Sequence, residues 1–262
     1  MSEELKVSID ARGVARIVLN RPEVHNAFDD YQIQRLIKAL QSVEADPQVR
    51  VVILAGEGKS FSAGGDLNYM RRMAGNTYDE NKQDAGQLAL LMKTLNFLKR
   101  PTIARVHGAA FGGGVGLAAC CDIAIGTPNA KFCLSEVKVG MVPATIAPYV
   151  ARTIGEKAAR RYFATAEVIH ADKALALGLL SEVVAEDQLD TKIEEIASAL
   201  LANAPEGVRK AKQIVFDIVN GDVTDAIIEH TVSFIADIRN SDEGREGLNA
   251  FLEKRKPNWL HS

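Results

Sequence analysis

Two glycine-rich segments and one glutamate are the residues of this chain whose types and spacing could do chemistry together. The first segment is residues 61–66 (FSAGGD), the second is residues 112–114 (GGG), and Glu136 follows downstream. Each glycine segment follows a run typical of a β-strand and precedes a run typical of a helix, so each can expose unpaired backbone N–H groups at a helix start. Two such groups that converge on one point make an oxyanion hole, and a glutamate above it could move protons on a carbon next to a carbonyl. The pattern therefore predicts an enzyme that acts on an activated acyl group.

Each of these features also has a purely structural interpretation. The first glycine pair alone would fit an ordinary tight turn, although Asp66 stands where it can cap a helix that begins near Leu67. A dinucleotide-binding loop does not fit the second segment, because its glycines depart from the G-x-G-x-x-G spacing and no P-loop lysine follows. Glu136 is either a solvated loop residue or, if its apolar neighbours bury it, a carboxyl group whose raised pKa suits acid and base work.

The overall composition excludes several function classes. The 262 residues are 47% hydrophobic, enough to bury a sizeable core, and 31 basic and 34 acidic residues leave a net charge of −3. No basic field for nucleic acid or anionic lipid follows from that balance. Cys120, Cys121 and Cys133 lack the spaced partners of a zinc site, so we expect no metal. The odd cysteine count, a start without a cleavable leader and the lack of a membrane-spanning apolar run predict a cytoplasmic protein without a membrane partner.

Strands and helices alternate from the start of the chain. Short β-rich runs at 7–9 and 14–19 indicate a hairpin, and apolar residues at helical spacing follow Asp29 or Asp30 as far as residue 46. A nearly continuous apolar run at 49–54 predicts a strand that is covered on both faces. This alternation predicts a mainly parallel α/β sheet with helices packed outside.

The alternation continues around the second glycine segment and then stops. The polar stretch 70–84 is interpreted as a mobile loop or a broken helix beside the site. From about residue 186 the chain is predicted to be helical only. The further elements are helices at 87–98 and 115–120, strands at 102–106 and 123–125, and C-terminal helices at 189–201, 207–219, 223–238 and 241–253.

Several sequence blocks, in order along the whole chain, resemble the signature of the enoyl-CoA hydratase/isomerase (crotonase) family. They are residues 61–67 (FSAGGDL), 107–114 (HGAAFGGG), 121–124 (CDIA) and Ser135–Glu136 with Gly140 and Pro143. The resemblance implies an α/β fold with a crotonase-like β-β-α spiral core, residues 1–200, that carries the CoA and acyl sites. Residues 201–262 would form a helical C-terminal region that assembles a homotrimer or a dimer of trimers.

The family resemblance also implies the substrate class and the site residues. The substrate would be an acyl-CoA thioester, with coenzyme A as part of the substrate and no separate cofactor. Glu136 would be the catalytic acid and base, and the backbone N–H groups of Gly65 and Gly113 would bind the thioester oxygen. Phe251 and Lys254 would reach a CoA bound to the adjacent subunit. The complete set of residues implied to bind substrate is His25, Ala27, Ala63, Gly64, Asp66, Leu67, Gly112, Gly116, Phe251 and Lys254.

The chain departs from the family pattern at one position. Hydratases of this family commonly use two glutamates, and Gly116 stands where the first is expected, which leaves Glu136 as the only one. Residues 111–117, 141–150 and 160–163 are most similar to methylglutaconyl-CoA hydratases of leucine breakdown. The similarity implies hydration of a branched 2-enoyl-CoA thioester such as 3-methylglutaconyl-CoA. A Δ3-Δ2-enoyl-CoA isomerase and a CoA-ester-binding homologue without catalysis are the alternatives.

Overall fold

A computed structural model of the chain describes residues 4–219 and 221–260. Its strands are β1 (Leu5–Ile9), β2 (Val14–Leu19), β3 (Val51–Gly56), β4 (Ser60–Ala63), β5 (Thr102–Val106), β6 (Ala109–Phe111), β7 (Ile123–Gly126), β8 (Lys131–Cys133), β9 (Ile169–His170) and β10 (Glu182–Val183). Its α-helices are α1 (Asp30–Ala45), α2 (Leu67–Met73), α3 (Tyr78–Asn96), α4 (Gly113–Cys120), α5 (Ala147–Ile154), α6 (Glu156–Thr165), α7 (Ala171–Ala176), α8 (Leu189–Ala202), α9 (Pro205–Ile218), α10 (Asp225–Asn240) and α11 (Asp242–Leu252).

The strands form two sheets rather than one. Six strands pair in the order β1-β2-β3-β5-β7-β10, and four pair in the order β4-β6-β8-β9. The first pair of the large sheet is the predicted antiparallel hairpin, and β2, β3, β5, β7 and β10 run parallel. Along the chain, a strand of the large sheet is followed by a strand of the small sheet and then by a helix, three times over. This repeat confirms the β-β-α spiral.

The predicted elements of the N-terminal half form for the expected reasons. The side chain of Asp29 accepts a hydrogen bond from the backbone N–H of Gln32 and so caps α1. The apolar face of α1 is buried against the core. All six residues of β3 are buried, as expected of a parallel strand covered on both faces.

The polar stretch 70–84 is a broken helix and not a loop. It contains the end of α2 and the start of α3, which begins nine residues before the predicted residue 87. Thr77 caps α3, and its partner in a reciprocal capping box is Glu80. The first turns of α3 carry few apolar residues, so the sequence there shows no apolar residues at helical spacing.

The C-terminal helices lie within a few residues of their predicted bounds. Helix α8 packs on β3, β5 and β7 through Leu189, Ile193 and Ala197, whereas α9, α10 and α11 pack against one another. The predicted boundary after residue 200 falls in the last turn of α8. Within residues 4–219 and 221–260, no helix is long and apolar enough to cross a membrane.

Candidate functional site

The small sheet brings the two glycine segments and Glu136 together. Strands β4, β6 and β8 are parallel neighbours, so their carboxyl ends lie at one edge of the sheet. The first glycine segment follows β4, the second follows β6, and Glu136 follows β8. The N–H of Gly112 donates to the carbonyl of Cys133 at 2.9 Å, which ties the second segment to the strand that leads to Glu136.

Gly112 lies at the centre of this arrangement. Its φ of +49° is in the left-handed region, where glycine is favoured. A β-carbon added to Gly112 would lie 3.1 Å from Oε1 of Glu136 and 3.8 Å from Cα of Gly64. The absent side chain therefore leaves room for the Glu136 carboxylate to lie over both glycine segments.

Two backbone N–H groups at this edge have no acceptor in the described part of the chain. Phe28 pairs with the first segment by donating its N–H to Gly64 at 2.7 Å and accepting from Asp66 at 2.7 Å, which leaves the N–H of Gly65 unused. Gly113 is the first residue of α4, so its N–H has no partner within the helix. Gly65 is exposed and Gly113 is half-buried. Both amides are available to an oxygen of a bound molecule.

Glu136 is the ionisable group at the site. It begins a short 3₁₀ turn, Glu136–Val139, and its Oε2 is buried without a hydrogen-bond partner in the described residues. Burial raises the pKa of Glu136, and a hydrogen bond from its own backbone N–H offsets this only in part. A carboxyl group with a raised pKa is suited to both accepting and returning a proton near neutral pH.

Position 116 cannot supply a second acid. Gly116 is buried in α4, and a β-carbon there would lie 3.0 Å from Cβ of Ile146 and 3.0 Å from Sδ of Met92. Both neighbours are fully buried apolar side chains. The place of the family's first glutamate is thus filled by apolar packing, and this favours a packing role for Gly116 over the predicted contact with substrate.

Asp66 has a structural role that the sequence indicated in part. Its carboxylate accepts the backbone N–H groups of Asn68 and Tyr69 and so caps α2 as expected. The same carboxylate pairs with Arg21 at 3.1 Å, and Arg21 also pairs with the α1 cap Asp29 at 2.7 Å. Burial raises the pKa of Asp66, but the two N–H bonds and the Arg21 charge outweigh burial and lower the pKa overall. With its oxygens committed to these partners, Asp66 is a helix cap, and its predicted contact with substrate stays a prediction.

The predicted substrate contacts His25, Ala27, Ala63 and Leu67 lie in or near the first glycine segment in sequence or through a hydrogen bond. His25 accepts the N–H of Ala63 at 3.0 Å through its backbone carbonyl, and its Nδ1 lies 3.2 Å from Oγ of Ser60. Ala27 is buried and Ala63 is half-buried. Leu67, by contrast, is 71% exposed. His25 and Leu67 are therefore open to a ligand, whereas Ala27 contributes to packing.

Phe251 and Lys254 lie on a different part of the chain. Phe251 is 81% exposed near the end of α11, and Lys254 follows that helix. Helix α11 packs against α9 and α10. Their predicted role concerns a CoA on an adjacent subunit, and it stays a prediction.

Several residues that shape the site had no assigned role in the sequence. A β-carbon on Gly113 would lie 2.8 Å from the Phe28 ring, so Phe28 requires glycine at that position. Ile146 and Met92 close position 116, and Arg21 joins two helix caps. The cap at Asp29 has a local signal in the sequence. The contacts of Phe28 with Gly113 and of Arg21 with Asp66 have none, because these residues lie far apart in the chain.

The fold and the arrangement of the site together are typical of one class of proteins. A repeated strand–strand–helix core, with two free amides and one glutamate at the strand ends, is the architecture of the crotonase class. The crystal structure of an enoyl-CoA hydratase from Shewanella pealeana has the same fold, with a TM-score of 0.95 and 45% identity over 98% of this chain and 96% of that chain. The structure of an enoyl-CoA hydratase from Mycobacterium smegmatis matches over 100% of both chains, with a TM-score of 0.93 and 34% identity.

Sequence comparison assigns the family. Residues 10–262 match the family model described as enoyl-CoA hydratase/isomerase. The short-chain-enoyl-CoA hydratase of Clostridium acetobutylicum is 34% identical over 93% of this chain and 92% of the relative, and the crotonyl-CoA hydratase of Syntrophomonas wolfei is 32% identical over 94% of each. The chain belongs to the enoyl-CoA hydratase/isomerase family, whose members act on acyl-CoA thioesters.

Proposed function

We propose that this enzyme adds water to a branched 2-enoyl-CoA thioester such as 3-methylglutaconyl-CoA, with Glu136 as the single acid and base. One observation carries the proposal. The Glu136 carboxylate lies beside Gly112 of the second glycine segment, the Gly65 and Gly113 amides are free, and Ile146 and Met92 close the position of a second carboxylate.

The proposed reaction uses Glu136 twice. The ionised carboxylate takes a proton from water as the water oxygen bonds to C3 of the enoyl group. The electron pair of the C2–C3 double bond moves toward the thioester, and the resulting enolate oxygen accepts hydrogen bonds from the N–H groups of Gly65 and Gly113. Protonated Glu136 then returns the proton to C2, which yields the 3-hydroxyacyl thioester.

The single glutamate supports the choice of a branched substrate with a second carboxylate. In the absence of a carboxylate at position 116, the attacking water needs another acceptor to orient it. The distal carboxylate of a glutaconyl ester supplies such an acceptor within the substrate. This part of the proposal rests on the closed position 116 and on the sequence similarity to methylglutaconyl-CoA hydratases, which would place the reaction in leucine breakdown.

Isomerisation of a 3-enoyl-CoA to a 2-enoyl-CoA thioester is the second candidate function. The lack of a carboxylate at position 116 favours it as well. One carboxylate is enough to take a proton from C2 of a 3-enoyl thioester and return it to C4, with the enolate held by the same two amides. Hydration and isomerisation differ in mass balance, since hydration adds one water and isomerisation adds none.

The assembly and the CoA contacts are further parts of the proposal. Helices α9, α10 and α11 expose apolar side chains that include Val215, Val232, Leu248 and Leu252. We propose that they form the contacts of a trimer or of a dimer of trimers, and that Phe251 and Lys254 contact the CoA of a neighbouring subunit. Lysine is a common phosphate partner, and Lys254 is exposed.

The test compares 3-methylglutaconyl-CoA, crotonyl-CoA and a 3-enoyl-CoA ester in deuterated water, with products analysed by mass spectrometry. We expect the branched substrate to gain one water and one deuterium at C2. Conversion of the 3-enoyl ester without added water would instead support the isomerase. Binding of all three esters without conversion or exchange at C2 would show a homologue without catalysis.

Glu136→Gln is the informative variant for both reactions. It keeps the size of the side chain but removes the base, so we expect the rate to fall at least a thousandfold. Glu156→Gln is the matched control, because Glu156 lies on the exposed helix α6 with 85% of its side chain accessible. Unchanged turnover in Glu136→Gln would remove Glu136 from the mechanism.

A further inference from the structure

A cavity lies at one end of the large sheet, away from the candidate site on the small sheet. It has a volume of about 710 Å³ and is lined at the amino ends of β2, β3 and β5 by residues that include Gly13, Arg50 and Arg100. Arg209 of helix α9 lines it from the C-terminal region. The volume is in the range of small-molecule sites, roughly 300–1,000 Å³. Glu136, Gly65 and Gly113 follow the carboxyl ends of strands and do not line this cavity, so the cavity is separate from the candidate site.

Two arginines of this cavity, one buried and one half-buried, have no ion-pair partner in the described residues. Arg100 is only 7% exposed, and its Nη2 donates to the backbone carbonyl of Asp46 at 3.3 Å. Arg50 is half-buried, and its Nη2 donates to the backbone carbonyl of Asn203 at 2.7 Å. Neither guanidinium forms an ion pair with a carboxylate of residues 4–219 or 221–260. Arginine is rarely buried to this degree unless it is paired.

Three buried N–H donors of the cavity are also unused. The Nε atoms of Arg50, Arg100 and Arg209 are buried and have no hydrogen-bond partner in the described residues. Arg209 pairs with Glu206 through Nη2, so its Nε remains unused despite that pair. A buried donor without an acceptor costs about 1–3 kcal/mol, and more when the group is charged. These Nε atoms are shielded from solvent, so they show that the arginine side chains lining the cavity are desolvated without full compensation.

Carboxylates of the chain compensate Arg50 and Arg100 only in part. Burial lowers the pKa of Arg100, and the nearby Arg209 charge lowers it further, against a smaller opposing effect of Glu44 and Asp46. Burial likewise lowers the pKa of Arg50, with Glu243 opposing it. Guanidinium nonetheless stays protonated, so the buried positive charge persists.

The carboxylates around the cavity have partners of their own. Asp46 accepts the N–H of Gln48 at 2.8 Å, and Glu44 accepts that of Lys99 at 3.0 Å. Asp10 pairs with Arg12 and accepts the backbone N–H groups of Arg12 and Val14. The two oxygens of Glu243 accept the N–H groups of Glu206 and Gly207 at 3.0 and 2.8 Å. A counter-charge paired with Arg50 and Arg100 therefore has to come from outside the described chain.

We propose that this cavity binds a small phosphate group, either as inorganic phosphate or as a phosphomonoester. A tetrahedral phosphate carries several acceptor oxygens and more than one negative charge, and the arginine fork matches it with two parallel hydrogen bonds. Arg50 and Arg100 supply the unpaired charges, and Arg209 supplies a third donor. The inference is independent of the reaction at Glu136.

The experiment is a titration of the full-length protein with sodium phosphate, and separately with ribose 5-phosphate, at constant ionic strength maintained with chloride. The unfolding temperature and the heat of binding are the readouts. A ligand that binds only the folded state raises the unfolding temperature in a saturable manner. We expect saturation with at least one of the two ligands, and the tighter one identifies the source of the phosphate group.

Arg100→Met and Arg50→Met test the location of binding. We expect each to raise the phosphate Kd at least tenfold, and without phosphate to leave the unfolding temperature unchanged or higher, because an unpaired buried charge has been removed. Arg160→Met, on the exposed helix α6, is the matched control and should retain the wild-type Kd. If Arg100→Met does not fold, the location of binding is tested by Arg50→Met alone, because the side chain of Arg50 is less buried. Absence of saturable binding to wild type, or an equal Kd in the folded arginine variants, would overturn the proposal.

Discussion

The two glycine segments present their free amides by different physical means. The Gly65 segment is held by polar groups, since Asp66 caps α2 and pairs with Arg21. The Gly113 segment has a backbone hydrogen bond, from Gly112 to Cys133, and is otherwise held by close packing against the Phe28 ring and, at Gly114, against the backbone carbonyl of Ser62. One amide is therefore positioned by charge and hydrogen bonds, and the other chiefly by excluded volume.

Phe28 connects the two segments. Its backbone N–H and carbonyl bond to Gly64 and Asp66 on one side, while its ring occupies the space beside Gly113 on the other. A shift of Phe28 would move both amides at once. The two amides proposed to form the oxyanion hole are therefore one unit with two supports. Substitutions in the two supports should have different effects.

The largest effect is expected from adding a methyl group to the packed segment. Gly113→Ala would place a β-carbon 2.8 Å from the Phe28 ring, so either the ring or the amide must move. Loss of one oxyanion donor costs about 10²–10³ in kcat in other enzymes, and we expect a loss of that size in turnover assays. Gly86→Ala is the control, because a β-carbon at Gly86 in α3 has no neighbour within 4 Å. Full activity of Gly113→Ala would show that excluded volume does not position this amide.

Substitutions in the polar support of the Gly65 segment should lower the stability of the protein as well as its rate. Arg21→Met leaves Asp29 and Asp66 buried without their shared cation, and breaking a buried ion pair costs about 3 kcal/mol or more. We expect a fall of that size in the free energy of unfolding, measured with urea. The exposed pair of Arg160 with Glu156 provides the control, since Arg160→Met should change stability by under about 1 kcal/mol. Equal effects of the two substitutions would contradict a special role for Arg21.

A smaller loss is expected deeper in the packed helix α4. Gly116→Ala forces a β-carbon against Ile146 and Met92, and overpacking of this kind costs about 1–3 kcal/mol. Ile146→Ala removes Cγ2 of Ile146, the atom that the new β-carbon would meet first. The double variant should therefore be more stable than the sum of the two single losses predicts. Urea unfolding of all four proteins gives the coupling energy. Additive losses would mean that the two residues do not compete for space.

The smallest effect is a contrast in pH dependence between two carboxyl groups. The pKa of Asp66 is lowered on folding, so the stability that it contributes is present above its ordinary pKa of about 3.9 and is lost as pH falls through the lowered value. The pKa of Glu136 is raised, so its contribution is present below its ordinary pKa of about 4.3 and is lost as pH rises through the raised value.

Two variants measure this contrast. Relative to wild type, Asp66→Asn should become less stable as pH rises from acid to neutral, whereas Glu136→Gln should become more stable over the same rise. Unfolding curves between acid and neutral pH check the sign for each variant. The same sign for both would show that one of the two carboxyl groups is in a different environment from the one described.

Most of the secondary structure could be predicted because its signals are local. Each of these signals is contained in a few consecutive residues. Examples are the alternation in β1 and β2, the Asp29 cap of α1 and the apolar run of β3. The start of α3 was missed, although Thr77 and Glu80 form a local capping box, because the helix turns that follow lack an apolar period. The division of the strands into two sheets has no local signal, since it depends on which strands pair.

The sequence by itself determined the order of the two glycine segments and Glu136, the glycine at position 116, and the caps at Asp29 and Asp66. These depend on the conformational freedom of glycine and on hydrogen bonds over two or three residues, which a short segment contains in full. Only the tertiary structure decided that Ile146 closes position 116, that Phe28 supports both amides, and that Arg50, Arg100 and Arg209 line one cavity. Those contacts join residues far apart in the chain, and strand register and helix packing bring them together.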